Sequence, residues 1–130
     1  MNFFDTNVLV YFGEQGTIKS AKSGALLVAG GLVSVQVLNE FANVARRKNK
    51  LGWDQIGETL ELIRELVDVV PLTVETHDAA LRLASRHNFH FYDSLVVASA
   101  LLSGCDTLYS EDMHAGLVVE NRLTIVNPFT

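Results

Sequence analysis

The sequence predicts one α/β domain over residues 1–130, in which about five parallel strands form a sheet with helices on both faces. Short apolar segments alternate with amphipathic segments along the whole chain. The apolar segments carry hydrophobic residues at consecutive positions, as expected for strands that are covered on both faces. No repeat, low-complexity tract or linker interrupts the alternation, and 130 residues is an ordinary size for one domain.

The N-terminal half contributes two of these strands. The first is NFF at residues 2–4. Residues 17–28 are weakly helical, and the two glycines that follow suit the end of a helix. The second strand is GLVSV at residues 31–35, where Ser34 stands in position to cap the next helix.

Two amphipathic helices and a third strand come next. Apolar side chains recur at helical spacing in residues 35–48 and again after Asp54. The continuous apolar segment VDVVPL at residues 67–72 is the third strand. Either Thr73 or Thr76 caps the Ala- and Leu-rich helix that follows.

The C-terminal part begins with the apolar helix LVVASALLSG at residues 95–104. TLYS at 107–110 and LTIV at 123–126 are the last two strand candidates. Residues 111–122 between them are predicted to form a loop.

Composition limits the classes of partner. The chain has 15 acidic and 10 basic residues and a net charge of −5, so a nucleic acid would require a local basic patch or bound cations. A single cysteine, Cys105, predicts a buried thiol rather than a disulfide or a zinc cluster. No secretion signal is recognisable and the longest apolar run is too short for a membrane span, so we expect a cytoplasmic protein.

Acidic residues fall at the carboxyl ends of the predicted strands, where open parallel sheets bind ligands. Asp5 directly follows the first strand, and Asp112 follows the fourth. Asp93 lies in the first turn of a helix, and Glu40 lies about two turns into another. We therefore expect four carboxylates and two hydroxyls at one edge of the sheet, namely Asp5, Glu40, Asp93, Asp112, Thr6 and Ser110.

Such a group of carboxylates requires a physical cause. Two unit charges ~5 Å apart repel by roughly 3 kcal/mol at an effective dielectric near 20. Either one carboxylate is protonated with a raised pKa, or a divalent cation holds the group together. Ligands that are all oxygen suit Mg²⁺ or Mn²⁺, and the matching chemistry is phosphodiester hydrolysis by metal-activated water.

Each acidic residue also has a purely structural interpretation. Asp5 could cap a short helix, and Asp93 suits a helix N-terminus through the helix dipole. Glu40 alone could be a solvated helix position, and Asp112 a turn residue. The prediction that all four carboxylates lie at one edge of the sheet is what favours a metal site.

The chain resembles the PIN domain family, and in particular the VapC toxins of bacterial toxin–antitoxin pairs. Four segments carry the resemblance: FFDTNVLVYF, SVQVLNEFANVARRK, FYDSLVVASALLSGCDTLYSEDM and LTIVNPF. The resemblance implies a three-layer PIN-like fold. Ser94 stands where alanine is frequent in the family, which is a small residue in either case.

The resemblance also implies an activity and partners. It implies an endoribonuclease dependent on Mg²⁺ or Mn²⁺, with RNA as substrate and a small VapB-type antitoxin as inhibitor. In that family the catalytic and metal-binding positions correspond to Asp5, Glu40, Asp93 and Asp112, with Thr6 and Ser110 in support. With 48% hydrophobic residues the chain has room for partner surfaces, and we expect a homodimer.

One basic run, at residues 46–50, has two interpretations. Arg46, Arg47 and Lys48 could contact the RNA backbone, or they could simply suit the C-terminus of a helix. His114, two residues after Asp112, is a further candidate for a substrate-phosphate contact.

Two rival functions stay open at the level of sequence. A phosphatase of the haloacid-dehalogenase kind also has an aspartate after its first strand, but it requires a second aspartate two residues later, where this chain has Asn7. A non-catalytic α/β module could bind Mg²⁺ at the same carboxylates without turnover.

Overall fold

Six helices flank one six-stranded sheet in the computed structural model, which describes residues 1–130. The strands are β1 (Asn2–Phe4), β2 (Leu32–Ser34), β3 (Asp68–Val70), β4 (Thr107–Tyr109), β5 (Val118–Val119) and β6 (Leu123–Val126). The helices are α1 (Thr6–Gly13), α2 (Ile18–Ala29), α3 (Val35–Arg47), α4 (Trp53–Leu66), α5 (Val74–His87) and α6 (Phe91–Leu102). The predicted α/β fold class is confirmed.

The strand order is β3-β2-β1-β4-β6-β5, and every pairing is parallel except that of β5 with β6. From β1 the chain builds outward to β2 and β3 on one side, and then crosses to β4 on the other. The gap between the ends of β1 and β4 is therefore the topological switch point, where open α/β sheets form their ligand crevice.

The predicted number of about five strands omits β5. This strand lies inside residues 111–122, which the sequence pattern assigns to a loop. It is only two residues long, so it has no measurable periodicity. Left-handed φ angles at Glu120 (51°) and Asn121 (57°) reverse the chain tightly enough for β5 to pair with β6.

Helix α6 is the buried centre of the helical layers. Eight consecutive residues, Ser94–Leu101, are buried, as expected for a helix covered on all sides. The strands contribute fully buried Phe3, Leu108 and Ile125 to the same core. The first turn of α6, which carries Asp93, is therefore continuous with a helix that is anchored in the core.

None of the six helices combines the length and the hydrophobicity that a membrane crossing requires.

Side-chain caps fix where several helices begin. Ser34 Oγ accepts a hydrogen bond from Val37 N at 3.2 Å, as predicted. Of the two candidates for α5, the cap is Thr73, whose Oγ1 accepts from Thr76 N at 3.2 Å. Because Ser34 ends β2 and caps α3, the helix starts directly at the carboxyl end of the sheet.

Close backbone packing between β1 and β2 depends on Gly31. A Cβ at this position would lie 2.6 Å from the backbone oxygen of Asn2 and 2.7 Å from Cε2 of Phe4. We expect Gly31→Ala to lower the free energy of unfolding by about 1–3 kcal/mol, as overpacking does. Gly57 in α4 has open space at its Cβ position, so Gly57→Ala should raise it by about 0.5–1 kcal/mol. Urea denaturation measures both values. Equal changes in the free energy of unfolding for the two variants would contradict the close approach of Gly31 to β1.

Candidate active site

The carboxyl ends of β1 and β4 form the floor of the candidate site. The two strands pair in register, with Phe4 opposite Tyr109. Asp5 N donates to Tyr109 O at 3.0 Å, which extends the pairing by one residue. Asp5 and Ser110 are therefore neighbours at the switch point.

The Asp5 carboxylate is buried, with 5% of the residue exposed, and each of its oxygens accepts a strong hydrogen bond. Oδ1 accepts from Thr6 N at 2.7 Å, which caps α1. Oδ2 accepts from Ser110 Oγ at 2.7 Å. The cap interpretation of Asp5 is thus correct, but one of its oxygens also serves a contact across the sheet.

Ser110 links Asp5 to the loop that carries Asp112. While its hydroxyl donates to Asp5, its oxygen accepts from the backbone N–H groups of Asp112 and Met113, each at 3.3 Å. This single buried hydroxyl therefore fixes the distance between the end of β1 and the start of the loop after β4. The sequence-predicted pairing of Ser110 with this group of carboxylates is present in the structure.

Glu40 approaches the same edge from α3. Thr6 Oγ1 donates to its Oε2 at 3.0 Å, and Gln36 Nε2 donates to its Oε1 at 3.1 Å. Thr6, which follows Asp5, thereby brings the Glu40 carboxylate towards the end of β1. The residue is half-buried rather than fully solvated.

Asn7 bridges two of the carboxylates, a role that the sequence analysis missed. Its amide nitrogen lies 3.2 Å from Asp112 Oδ2 and 3.5 Å from Asp5 Oδ2. Its Oδ1 accepts from Glu111 N at 3.2 Å. Its position in the sequence could have indicated this role. Asn7 lies in the first turn of the helix that Asp5 caps, and this turn faces the same strand ends.

Burial raises the pKa of Asp5 to about 6. The hydrogen bonds from Ser110 and from Thr6 N favour the ionised form and so oppose this rise. The negative charges of Asp93 and Glu40 add smaller contributions to this rise. Asp5 is therefore close enough to these two carboxylates to respond to their charges.

Asp93 lies in the first turn of α6, as predicted, but it is not the N-cap, which is His90. Burial is the largest cause that raises the pKa of Asp93, and the charge of Glu40 is the next. His90 opposes the rise, and the charge of Asp112 adds to it. Through these charges, the carboxylates from β1, α3, α6 and the loop after β4 form one electrostatic group.

The donor chemistry of this group fits a hard divalent cation. All available donors are oxygens, which suits Mg²⁺ or Mn²⁺. No three His, Cys, Asp or Glu side chains converge closely enough to form a closed metal cage. Mg²⁺ does not need one, because it usually keeps several waters and takes only one or two carboxylates directly.

A cavity of about 400 Å³ lies beside two of the four carboxylates, Glu40 and Asp112, and we call it the carboxylate cavity. Asp5 and Asp93 are not in its lining. Its lining includes Thr6, Asn7, Glu40, Lys48, Glu111 and Asp112. Lys48 thus places one positive charge beside the acidic group, where it could meet a phosphate. The predicted RNA contact of Lys48 is untested, and its position agrees with that prediction.

The other basic candidates lie in different surroundings. Arg46 donates to Leu51 O at 3.0 Å and stacks over the Trp53 ring at 4.8 Å, so it fastens the end of α3 to the start of α4. Arg47 and His114 are exposed. For Arg46 the structural interpretation has direct contacts in its favour, whereas the predicted RNA contacts of Arg47 and His114 stay predictions.

A second cluster, absent from the sequence analysis, borders the carboxylate cavity. Lys19 Nζ lies 2.6 Å from Glu111 Oε2, and Tyr11 donates its hydroxyl to Glu111 Oε1 at 2.5 Å. The Tyr11 ring also packs edge-on against Phe129, 4.9 Å between centroids. Hydrogen bonds from Lys19 and Tyr11 lower the pKa of Glu111, so this fifth carboxylate is ionised and the charge of Lys19 balances it.

Residues 3–116 match the PIN domain family. The chain belongs to this family. The acidic edge described above lies within the matched residues. A search of curated protein sequences gives no significant match.

Solved PIN-like structures share the fold at low sequence identity. VapC20 of Mycobacterium tuberculosis, described as a sarcin-ricin loop cleaving toxin, has a TM-score of 0.71 and 19% identity over 86% of this chain and 90% of its own. A toxin–antitoxin complex from Klebsiella pneumoniae reaches 0.75 at 16% identity, over 99% of this chain and 98% of its own. FitAcB from Neisseria gonorrhoeae reaches 0.66 at 15% identity, over 99% of both chains.

The raised pKa of Asp5 predicts how stability depends on pH in the metal-free protein. Because the folded-state pKa of about 6 lies above the ordinary value of 3.8, stabilisation by the bound proton is complete below about pH 4 and is lost as the pH rises through about 6. Asp5→Asn removes the buried charge, so at about pH 7 it should be more stable than wild type by roughly 1–3 kcal/mol. Urea denaturation in EDTA measures this difference, which should shrink towards about pH 4. A difference independent of pH would contradict the assignment.

Proposed function

We propose that this PIN domain is a metal-dependent endoribonuclease and acts as the toxin of a toxin–antitoxin pair. The observation that carries the proposal is the group of four carboxylates from four separate segments at the switch point. Burial and mutual charge raise the pKa values of two of them, Asp5 and Asp93. Such an arrangement costs stability and is explained by a cation that binds there.

The roles of the individual side chains follow from their contacts. Asp5, Asp93 and Asp112 would hold Mg²⁺ or Mn²⁺, one or two of them directly and the rest through bound water, with Glu40 as a direct or water-mediated ligand. When bound, the cation supplies an activated water and neutralises charge on the phosphodiester. Ser110 and Thr6 orient Asp5 and Glu40 by hydrogen bonds. Asp5 must lose its proton to act as a ligand, so the affinity for the cation should fall as the pH drops below about 6.

Asn7 argues against the phosphatase alternative. That chemistry needs an acid two residues after the first aspartate, and an amide cannot supply a proton. The Asn7 amide instead donates towards Asp5 and Asp112. It holds the negative groups at a fixed separation, which suits cation binding better than proton transfer.

The toxin role rests on the fold and on the surface. Structures with the same fold include toxin–antitoxin complexes. Large apolar side chains are exposed on α2 and α4, which contact one another; they include Ile18, Val28 and Leu62. A basic, amphipathic VapB-type antitoxin segment would complement both this apolar surface and the net charge of −5. We further propose a two-fold homodimer.

Asp93 separates the metal-site hypothesis from a purely structural one. Asp93→Asn should reduce RNA cleavage by at least ~100-fold and weaken the rise in Tm caused by Mg²⁺ or Mn²⁺. Asp54→Asn is the matched control, because Asp54 is the first-turn acidic residue of α4 and loses the same helix-dipole interaction. Both variants should change the free energy of unfolding by no more than about 1 kcal/mol. A folded Asp93→Asn protein that cleaves RNA at the wild-type rate would refute the site.

Binding to an antitoxin can be measured independently of cleavage. We expect the product of a small neighbouring gene to co-purify with the chain, and Leu62→Asp on α4 to weaken that complex at least ~10-fold. Leu81→Asp on α5 is the control, since Leu81 is similarly exposed but lies on a different helix. Calorimetry gives the affinities and sedimentation equilibrium gives the oligomeric state. A wild-type protein that is monomeric and does not bind the product of the neighbouring gene would contradict the toxin role and leave the nuclease role unaffected.

A further inference from the structure

An open cavity of about 580 Å³ lies beside Glu40, and we call it the amide cavity. Its lining consists of Gln36, Asn39, Glu40, Asn43, Val44 and Tyr92. Glu40 and Val44 also line the carboxylate cavity. A chain molecule bound across the carboxylates would therefore continue directly into the amide cavity.

The amides share one face of α3. Gln36, Asn39, Glu40 and Asn43 are spaced three and four residues apart, so their side chains lie in one stripe along the helix. Gln36 is committed to Glu40 by its hydrogen bond of 3.1 Å. Asn39 and Asn43 are exposed and present neutral donors and acceptors to the cavity.

Tyr92 supplies an aromatic wall opposite this stripe. It is 60% exposed and stands next to Asp93 in the first turn of α6. Its ring packs edge-on against Phe91, with 6.0 Å between centroids and 65° between planes. An exposed ring one residue from a carboxylate of the site is a suitable surface for stacking.

We propose that the amide cavity binds one unpaired nucleobase of the RNA, stacked on Tyr92 and read by the amides of Asn39 and Asn43. The inference rests on the proposed nuclease function and gives it a source of sequence preference. Proteins recognise single-stranded RNA by stacking splayed bases on aromatic rings and by hydrogen-bonding their edges. Asn side chains suit that task because each offers a donor and an acceptor together.

The chemistry of the lining favours a base over a protein segment. A docked amphipathic helix needs a continuous apolar groove, whereas Val44 and Tyr92 are the two apolar residues in this lining. The volume lies within the roughly 300–1,000 Å³ typical of small-molecule sites. Arg47, four residues after Asn43, continues the stripe with a positive charge that suits the next phosphate.

The first experiment measures cleavage of a randomised single-stranded RNA in Mn²⁺, with all cut sites sequenced. Wild type should prefer one base at a fixed position near the cut. Tyr92→Ala should lower kcat/KM on the preferred RNA by about 10- to 100-fold, chiefly through KM, while Tyr92→Phe retains the wild-type value. Asn39→Ala and Asn43→Ala should reduce discrimination between bases by about 5- to 100-fold, because kcat/KM on the preferred RNA falls towards its value on the poorest RNA.

The second experiment measures binding without turnover. Fluorescence anisotropy of labelled pentanucleotides of A, C, G and U should show a base preference for the Asp5→Asn protein that the added Tyr92→Ala change removes. Wild-type and Tyr92→Ala proteins should show the same rise in Tm with Mn²⁺, which separates loss of stacking from disturbance of Asp93.

Several outcomes would overturn the amide cavity as a base site. One is that wild type cleaves RNA, and that Tyr92→Ala and both asparagine variants cleave it with the wild-type base preference and rate. That result would leave the nuclease function intact. Another is loss of antitoxin binding, with RNA preference retained, in these variants. If wild type cleaves no RNA, the nuclease proposal fails, and absence of base-selective pentanucleotide binding then overturns this one as well.

Discussion

The buried carboxylate of Asp5, held at the junction of β1 and β4, is the interaction on which the rest of the site depends. It caps α1 through Thr6 N and fixes the loop after β4 through Ser110. Burial opposes its ionisation, and hydrogen-bond donors offset only part of that cost, which leaves its pKa at about 6. The same group thus determines where α1 begins, where Asp112 lies, and how much charge the end of the sheet carries.

Because Asp5 is coupled to its neighbours, the acidic edge is a compromise between stability and binding. The charges of Glu40 and Asp93 disfavour ionisation of Asp5, and those of Glu40 and Asp112 disfavour ionisation of Asp93. A cation, or a basic side chain from a partner, would relieve this repulsion and so stabilise the folded state. One electrostatic feature would account in this way both for the proposed metal dependence and for the proposed binding of a basic antitoxin segment.

Sequence reasoning succeeded where the determining information is local, and it failed where that information comes from distant segments. Asp5, Ser34 and the parallel strands are predictable because a cap, a turn or an apolar run is encoded within a few residues. The contact of Lys19 with Glu111 joins residues 92 positions apart, and no local pattern encodes it. The bridge from Asn7 to Asp112 was missed for the same reason. The β5 strand pairs with nearby residues and was missed because a strand of two residues has no measurable periodicity.

Helix α3 connects the chemistry to the proposed recognition. Glu40 is half-buried and has both oxygens engaged, by Thr6 and Gln36, so a change there disturbs the acidic group. Asn39 and Asn43 lie on the same face but are exposed, so their substitution has little effect on packing. The helix therefore fixes the distance from the end of β2 to Glu40, and substitutions at the neighbouring exposed positions would leave that distance unchanged. A PIN domain built this way could acquire a new base preference without any change to its carboxylates.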